Sequence, residues 1–340
     1  MFRNAEGNNA YLAPATPLHW VMEAPLHRRG WVMQERILSS RTLNFGPHVL
    51  WECCQSIWHE FDLWESPLED HFKGFLSFES LKDLFSIINT AWNPSDALDE
   101  PPLLDFWRHI VPQYTSSDLS VNTDRLAAIS GIIEFICHET GFKNFYGLWE
   151  PILLQEVLWR RSDRYDFQPR LSSVAPTWSW GSIENAVYYT LPPKLVPKYA
   201  AKVKVTAESN QTLQVNTILM PLTLQYETIR ATPPTIFAST PGNIFCDRDG
   251  EIADFEVRRD IHPIPNGPYF FAPLLAHQPK LMDLADNVDG SVVQGLALAE
   301  SASVSGAYER IGHVSTGILA DHIPKFFQRV ETENIEIIVV

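Results

Sequence analysis

Apolar residues fall at helical spacing in the first half of the chain and at alternate positions in the second. Between Leu26 and Arg41, Trp31, Met33, Ile37 and Leu38 lie loosely along one side of a short helix. Residues 42–45 and 49–53 predict two short strands around Gly46-Pro47. An acidic, aromatic stretch follows, with Trp58, Phe61 and Trp64 among Glu60, Asp62, Glu65, Glu69 and Asp70, and reads as a surface loop with aromatic anchors. Helical spacing returns at Leu81, Leu84, Phe85 and Ile88, breaks at Asn93-Pro94 and Pro101-Pro102, and resumes at Leu104, Trp107, Ile110 and Val111. The clearest helix spans about 123–139: Leu126, Ile129, Ile132, Ile133 and Ile136 form one stripe, Asn122 or Thr123 caps the start and Gly141 ends it. A further helix is predicted over about 147–160.

The period changes after Pro176. Residues 201–207 and 212–219 alternate apolar and polar side chains, as half-buried strands do. Short strands are expected near 222–229, 252–258, 292–299 and 308–316, with a last one at 335–340. Prolines crowd 192–197, 233–241 and 263–279, which read as connections. The pattern predicts an α+β fold with a helical middle over 56–175 and a β-rich region over 176–340.

Composition narrows the classes. At 340 residues, 45% hydrophobic and 20% charged, the chain has the make-up of a globular protein rather than a disordered one. Its 26 basic and 41 acidic residues give a net charge of −15. Phosphate binders need basic patches, and the one local cluster, Arg28, Arg29, Arg36 and Arg41, is small, so nucleic acid is not expected as a partner. The four cysteines form no C-x-x-C pair, and adjacent Cys53 and Cys54 would make a strained disulfide. The start of the chain lacks the apolar stretch of a signal peptide, and no apolar run reaches the ~18 residues of a membrane span. Together these predict a cytoplasmic protein with no membrane span.

No metal motif, nucleophile elbow or phosphate-cradling glycine loop is present in the sequence, so no cofactor is expected. Cys137-His138-Glu139 puts neighbours on different faces of a helix. His27, His48, His59 and His71 lack ligand-like spacing and read as solvated or structural. Glu35 is the one carboxylate singled out as a catalytic candidate, because it lies between Gln34 and Arg36 with Trp31 one turn earlier. The same residues fit a buried Glu–Arg pair fixing the helix against a sheet, and that structural reading is favoured. Trp178 and Trp180 point the same way if their segment is a strand. They read as a plug joining the helical and β parts, with a ligand-stacking platform as the sharper alternative.

Taken in order, these segments resemble fungal heterokaryon-incompatibility (HET) domain proteins. The resemblance rests on Arg29-Gly30-Trp31 with Gln34-Glu35-Arg36-Ile37-Leu38-Ser39, then Arg41-Thr42-Leu43-Asn44-Phe45-Gly46 and Trp51-Glu52-Cys53. It continues through Tyr114-Thr115, Leu119-Ser120, Asp124 to Gly131, Tyr146-Gly147-Leu148-Trp149, Leu158-Trp159 and Ala175 to Trp180, and ends at Gly295 to Leu298 and Tyr308 to Gly312. On this resemblance, residues 1–55 correspond to the closing segment of a TIR-like α/β HET domain, most of which has no counterpart here. The family implies nonself recognition and programmed cell death through a protein partner. The expectation is a truncated, non-catalytic member. A TIR-like NAD-consuming hydrolase and an inactive remnant are the alternatives. Trp31, Gln34, Glu35, Arg36, Trp178 and Trp180 are the family-motif residues carried forward, with no role assigned.

Overall fold

The computed structural model describes residues 24–46, 49–54, 57–59, 84, 102–162, 170–189, 199–200, 202–205, 211–226, 236–239, 255–261, 265–277, 290–319, 328 and 332–340. The 58–70 loop and the 81–88 helix expected from the sequence fall almost wholly outside these residues. The fold is mixed α and β, with a β-rich C-terminal part.

Helix α1 (Gly30–Leu38) leads into β1 (Arg41–Phe45), β2 (Val49–Cys53) and β3 (Ile57–His59), which form a three-stranded antiparallel sheet in that order. Helix α2 (Pro102–Thr115) buries Leu104, Trp107, Ile110 and Val111, the stripe its spacing predicts. Helix α3 (Ser130–Thr140) ends at Gly141, whose φ of 73° is the left-handed conformation that glycine adopts at no steric cost.

Two helix expectations are corrected. Residues 122–129 form two 3-10 turns, so α3 starts later than its stripe suggests. At this break the Tyr114 hydroxyl donates to the Arg125 carbonyl, the group that would accept from Ile129 N–H in an α-helix. Ile129 N–H reaches the Leu126 carbonyl instead. The helix expected over 147–160 is replaced by a tight hairpin, β4 (Asn144–Phe145) and β5 (Leu148–Trp149), then a 3-10 turn at Glu150–Ile152 and one α-turn, α4 (Leu153–Glu156). Tyr146 and Gly147 take φ of 51° and 90°, which turns the chain back on itself. Pro151 opens the 3-10 turn.

Strands β6 (Arg160–Arg161) and β7 (Val187–Tyr188) pair beside the large sheet. That sheet contains β8 (Tyr199–Ala200), β9 (Lys202–Val205), β10 (Leu213–Thr217), β11 (Met220–Tyr226), β12 (Ile236–Ser239), β13 (Phe255–Arg259), β14 (Tyr269–His277), β15 (Gly290–Glu300), β16 (Tyr308–Leu319) and β17 (Ile335–Val339). Strand β13 pairs with both β12 and β16, so the path β11, β12, β13, β16, β15, β14 returns to β11 and closes an antiparallel ring. Closure removes strand edges that would otherwise seek partners. Strands β17, β10 and β9 extend from the ring, and β8 adds to β14.

Strand β14 was not legible as a strand. Residues 271–276 are buried throughout, so alternation vanishes, and Pro273 sits where the register with β15 shifts. Strand β12 likewise falls within a proline-bearing stretch that the sequence marks as a connection.

Two apolar clusters follow from this topology. Met220, Val257, Phe271, Val293, Ala297 and Val314 pack together from five ring strands. On the opposite face, Leu274, Leu296 and Leu298 join Leu213, Val215 and Ile337 and meet the helical part in one larger core. That core also takes in Met33 and Ile37 from α1. Five tryptophans, Trp107, Trp149, Trp159, Trp178 and Trp180, are among its largest fully buried side chains.

Candidate functional site

The residues that carry the family resemblance at the N-terminal end meet in one polar network. Arg36 on α1 is buried and donates from Nε and Nη2 to the two Glu52 carboxylate oxygens, at 2.8 and 2.5 Å. Glu52, on β2, is fully buried. Asn44 on β1 donates from Nδ2 to the same carboxylate at 3.0 Å. His27 completes the set through a side-chain hydrogen bond with Asn44. Its pKa is lowered from the ordinary histidine value, first by burial and then by the Arg36 guanidinium, against the opposing pull of Glu52. A paired carboxylate with three donor contacts is what makes a buried charge tolerable.

The same helix is tied to the region behind it. Gln34 Oε1 accepts from Gly131 N–H at 2.7 Å. A Cβ on Gly131 would lie 2.9 Å from the Gln34 amide, so glycine is needed for this approach. Gly30 N–H donates to Asp118 O, and Asp118 N–H donates to Arg28 O, forming a short parallel bridge.

The structure separates what the sequence reading grouped around Glu35. Glu35 and Trp31 are exposed, while the Arg36 guanidinium points away from them to Glu52. The buried Glu–Arg pair exists, but its acid is Glu52. A site built from Glu35, Trp31 and Arg36 therefore does not assemble. His27, Asn44 and Glu52 were missed, although Asn44 and Glu52 stand inside the quoted motifs.

Trp178 and Trp180 are also relocated. Their segment is a turn followed by a 3-10 turn at Trp180–Ser182, not a strand. Both rings are wholly buried, so neither offers a face for a ligand to stack on. Trp180 and Trp107 each donate from Nε1 to the Gly147 carbonyl at 3.1 Å. Trp178 Nε1 donates to Gln211 O, and the Trp159 indole donates to Trp178 O. The plug reading is the one the contacts support.

A second polar cluster lies where the helical part meets the ring. Arg310 on β16 is fully buried. Its Nε donates to Asp260 at 2.7 Å, its Nη1 to Val157 O at 2.5 Å, and its Nη2 to Trp159 O at 2.6 Å. Its guanidinium carbon sits 3.5 Å from the Trp159 ring centroid. Arg170 adds a bond to the Arg310 carbonyl, and burial lowers its own pKa to about 10. His313, three residues along β16, is fully buried with neither ring nitrogen hydrogen-bonded. Burial holds its pKa well below the ordinary value, reinforced by Arg160, Arg310 and Arg258.

Neither cluster presents a nucleophile beside a base. Among the described residues no three His, Cys, Asp or Glu side chains converge as metal ligands, and no helix is long and apolar enough to cross a membrane. Cys53, Cys54 and Cys137 form no disulfide. What the geometry does is hold: Arg36–Glu52 locks the hairpin to α1, and Arg310, paired with Asp260 beside β13, locks the ring to the turn after α4 through the Val157 and Trp159 carbonyls. No protein family, curated protein or solved structure matches the chain.

Proposed function

We propose that this chain is a heterokaryon-incompatibility-type protein, acting in fungal nonself recognition and cell death through a protein partner and without catalysis of its own. The reading is supported by how the resembling segments meet in space. Arg36, Asn44 and Glu52, from three separate motifs, share one buried network. Gln34 binds Gly131 of a fourth, Trp180 binds Gly147 of a fifth, and Arg310 of the last segment binds the Trp159 carbonyl. Motifs spread over nearly the whole chain thus act as one architectural signature. The motif side chains spent on internal contacts are Gln34, Arg36, Trp178 and Trp180, which leaves Trp31 and Glu35 facing solvent.

The test is expression of the chain in filamentous fungal strains that are then paired with a panel of testers. Cell death at fusion sites in particular pairings is expected, and its loss in Glu52→Gln, which unlocks the hairpin. A chain that accumulates as folded protein yet changes no pairing would overturn the reading. Release of nicotinamide from NAD by the purified protein would overturn its non-catalytic part.

A further inference from the structure

Strand β13 closes the ring, and its joint with β16 sets a histidine against an arginine. The register places Arg258 opposite His313, with Val257 opposite Val314 and Arg259 opposite Gly312. Cross-strand partners lie on the same face of a sheet, so the Arg258 and His313 side chains are neighbours. A Cβ on Gly312 would lie 2.5 Å from the Arg258 carbonyl oxygen, so the two backbones approach closely here. His313 is fully buried, and neither of its ring nitrogens has a hydrogen-bond partner. A neutral imidazole already gives up hydration in such a site. An imidazolium would give up more and gain no acceptor.

The charged groups acting on His313 are cations from three elements. Burial first, and then Arg160 on β6, Arg310 on β16 and Arg258 on β13, oppose its protonation. Arg258 Nη1 donates to the Tyr188 hydroxyl on β7 at 3.1 Å, and Tyr188 pairs with Arg160, which draws these groups together over the joint. On the other side of β16, strand β15 sets the apolar Leu296 opposite His313. Of the acids next to Arg258 in the chain, Asp260 accepts from Arg310, and Glu256 holds the register position opposite Ser315. Like charges directly opposed across two strands destabilise the pair. Here that repulsion is conditional on pH, because imidazole is the side chain that ordinarily changes charge near neutrality.

We propose that the β13–β16 joint is a proton-operated latch, shut while His313 is neutral and parted when His313 takes up a proton. In the parted state the imidazolium reaches water and moves away from Arg258. Strand β13 stays paired with β12, and β16 with β15, so the ring opens at one place without unravelling. The sign follows from proton count. The shut joint binds fewer protons than the parted one, so acid favours parting as pH falls below the free-imidazole value of 6.5 toward that of the shut state. One proton per opening raises the opening equilibrium by up to about tenfold for each pH unit. This inference stands on the ring alone and not on the HET reading.

Hydrogen exchange of the full chain between about pH 7.5 and 5, corrected for the intrinsic pH dependence of exchange, tests it. Amides of β13, and those of β16 that face it, should lose protection by about tenfold per unit below ~6.5, while amides between β14 and β15 keep theirs. His313→Met fills the site without a titrating group, and its joint should hold the same protection across the range. Arg258→Met leaves the imidazole with one cation fewer, and its acid-induced loss should be several-fold smaller than that of the parent. Each protein is compared with itself at two pH values, so a variant of lower overall stability does not mimic either result. Protection at the joint that ignores pH in the parent chain overturns the proposal. So does equal acid-induced loss across β14 and β15, which marks global unfolding, or an undiminished pH response in His313→Met.

Discussion

The N-terminal sheet and the closed ring of the C-terminal sheet solve opposite problems. The C-terminal ring closes on itself, fills its inside with Val257, Phe271 and Val293, and sets a buried ion pair at the seam with the helical part. The N-terminal sheet stays open, buries Glu52 against Arg36 and turns Leu43 and Phe45 outward. A closed sheet needs no outside partner to satisfy its backbone. An open sheet whose inner face is spent on a polar lock leaves apolar side chains on its surface. The ring is closed around its own core, while the hairpin keeps Leu43 and Phe45 at the surface.

The two ion pairs give the sharpest way to break that contrast. Arg310→Met strands a buried Asp260 carboxylate and the Val157 and Trp159 carbonyls, and should cost about 3–5 kcal/mol of global stability. Urea unfolding should show the whole cooperative transition moving to lower denaturant. Glu52→Gln leaves Arg36 with a neutral partner and should cost about 2–3 kcal/mol, confined to the hairpin. Hydrogen exchange should lose protection over β1 and β2 while β15 and β16 keep theirs. Equal loss in both regions would mean that the two sheets are not separable units.

Acidification offers a smaller lever. His313 is buried neutral, with its folded pKa well below 6.5, and His27 shifts in the same direction. The folded state then binds fewer protons than the unfolded one, so their contribution is complete above the unfolded value and is lost as pH falls below it toward the folded pKa. Each such group removes about 1.4 kcal/mol per pH unit across that window. His313→Met should flatten the slope of stability against pH below 6.5 and remove two unpartnered ring nitrogens. An unchanged slope would assign the acid sensitivity to other groups. The least effect is expected of Glu35→Gln: an exposed helix position should change stability by less than about 0.5 kcal/mol.

Legibility followed local regularity. The alternating β10 could be read because one face is buried and the other only half-buried, and the Leu104, Trp107, Ile110 and Val111 stripe because it keeps helical spacing, although α2 is buried on most sides. β14 could not, because both of its faces are covered. The start of α3 was misjudged because the apolar stripe runs on through two 3-10 turns at 122–129, which apolar spacing alone does not distinguish from an α-helix. At the candidate site, Arg36 was legible as a charge needing a partner. The partner was not, since sequence proximity favoured Glu35 while the hairpin register brought Glu52 instead.

By itself the sequence determined the periodicities: a helical first half, a β-rich second half, a short helix and hairpin at the N-terminal end, and the order of motifs that resemble one family. Period and turn chemistry are local, and a chain carries them wherever it folds. Only the tertiary structure decided which charges meet, that the large sheet closes into a ring, and which face of the hairpin looks outward. Those outcomes depend on contacts between residues far apart in the chain, as between Arg310 and Trp159 or Gln34 and Gly131, and local pattern says nothing about which distant group will arrive.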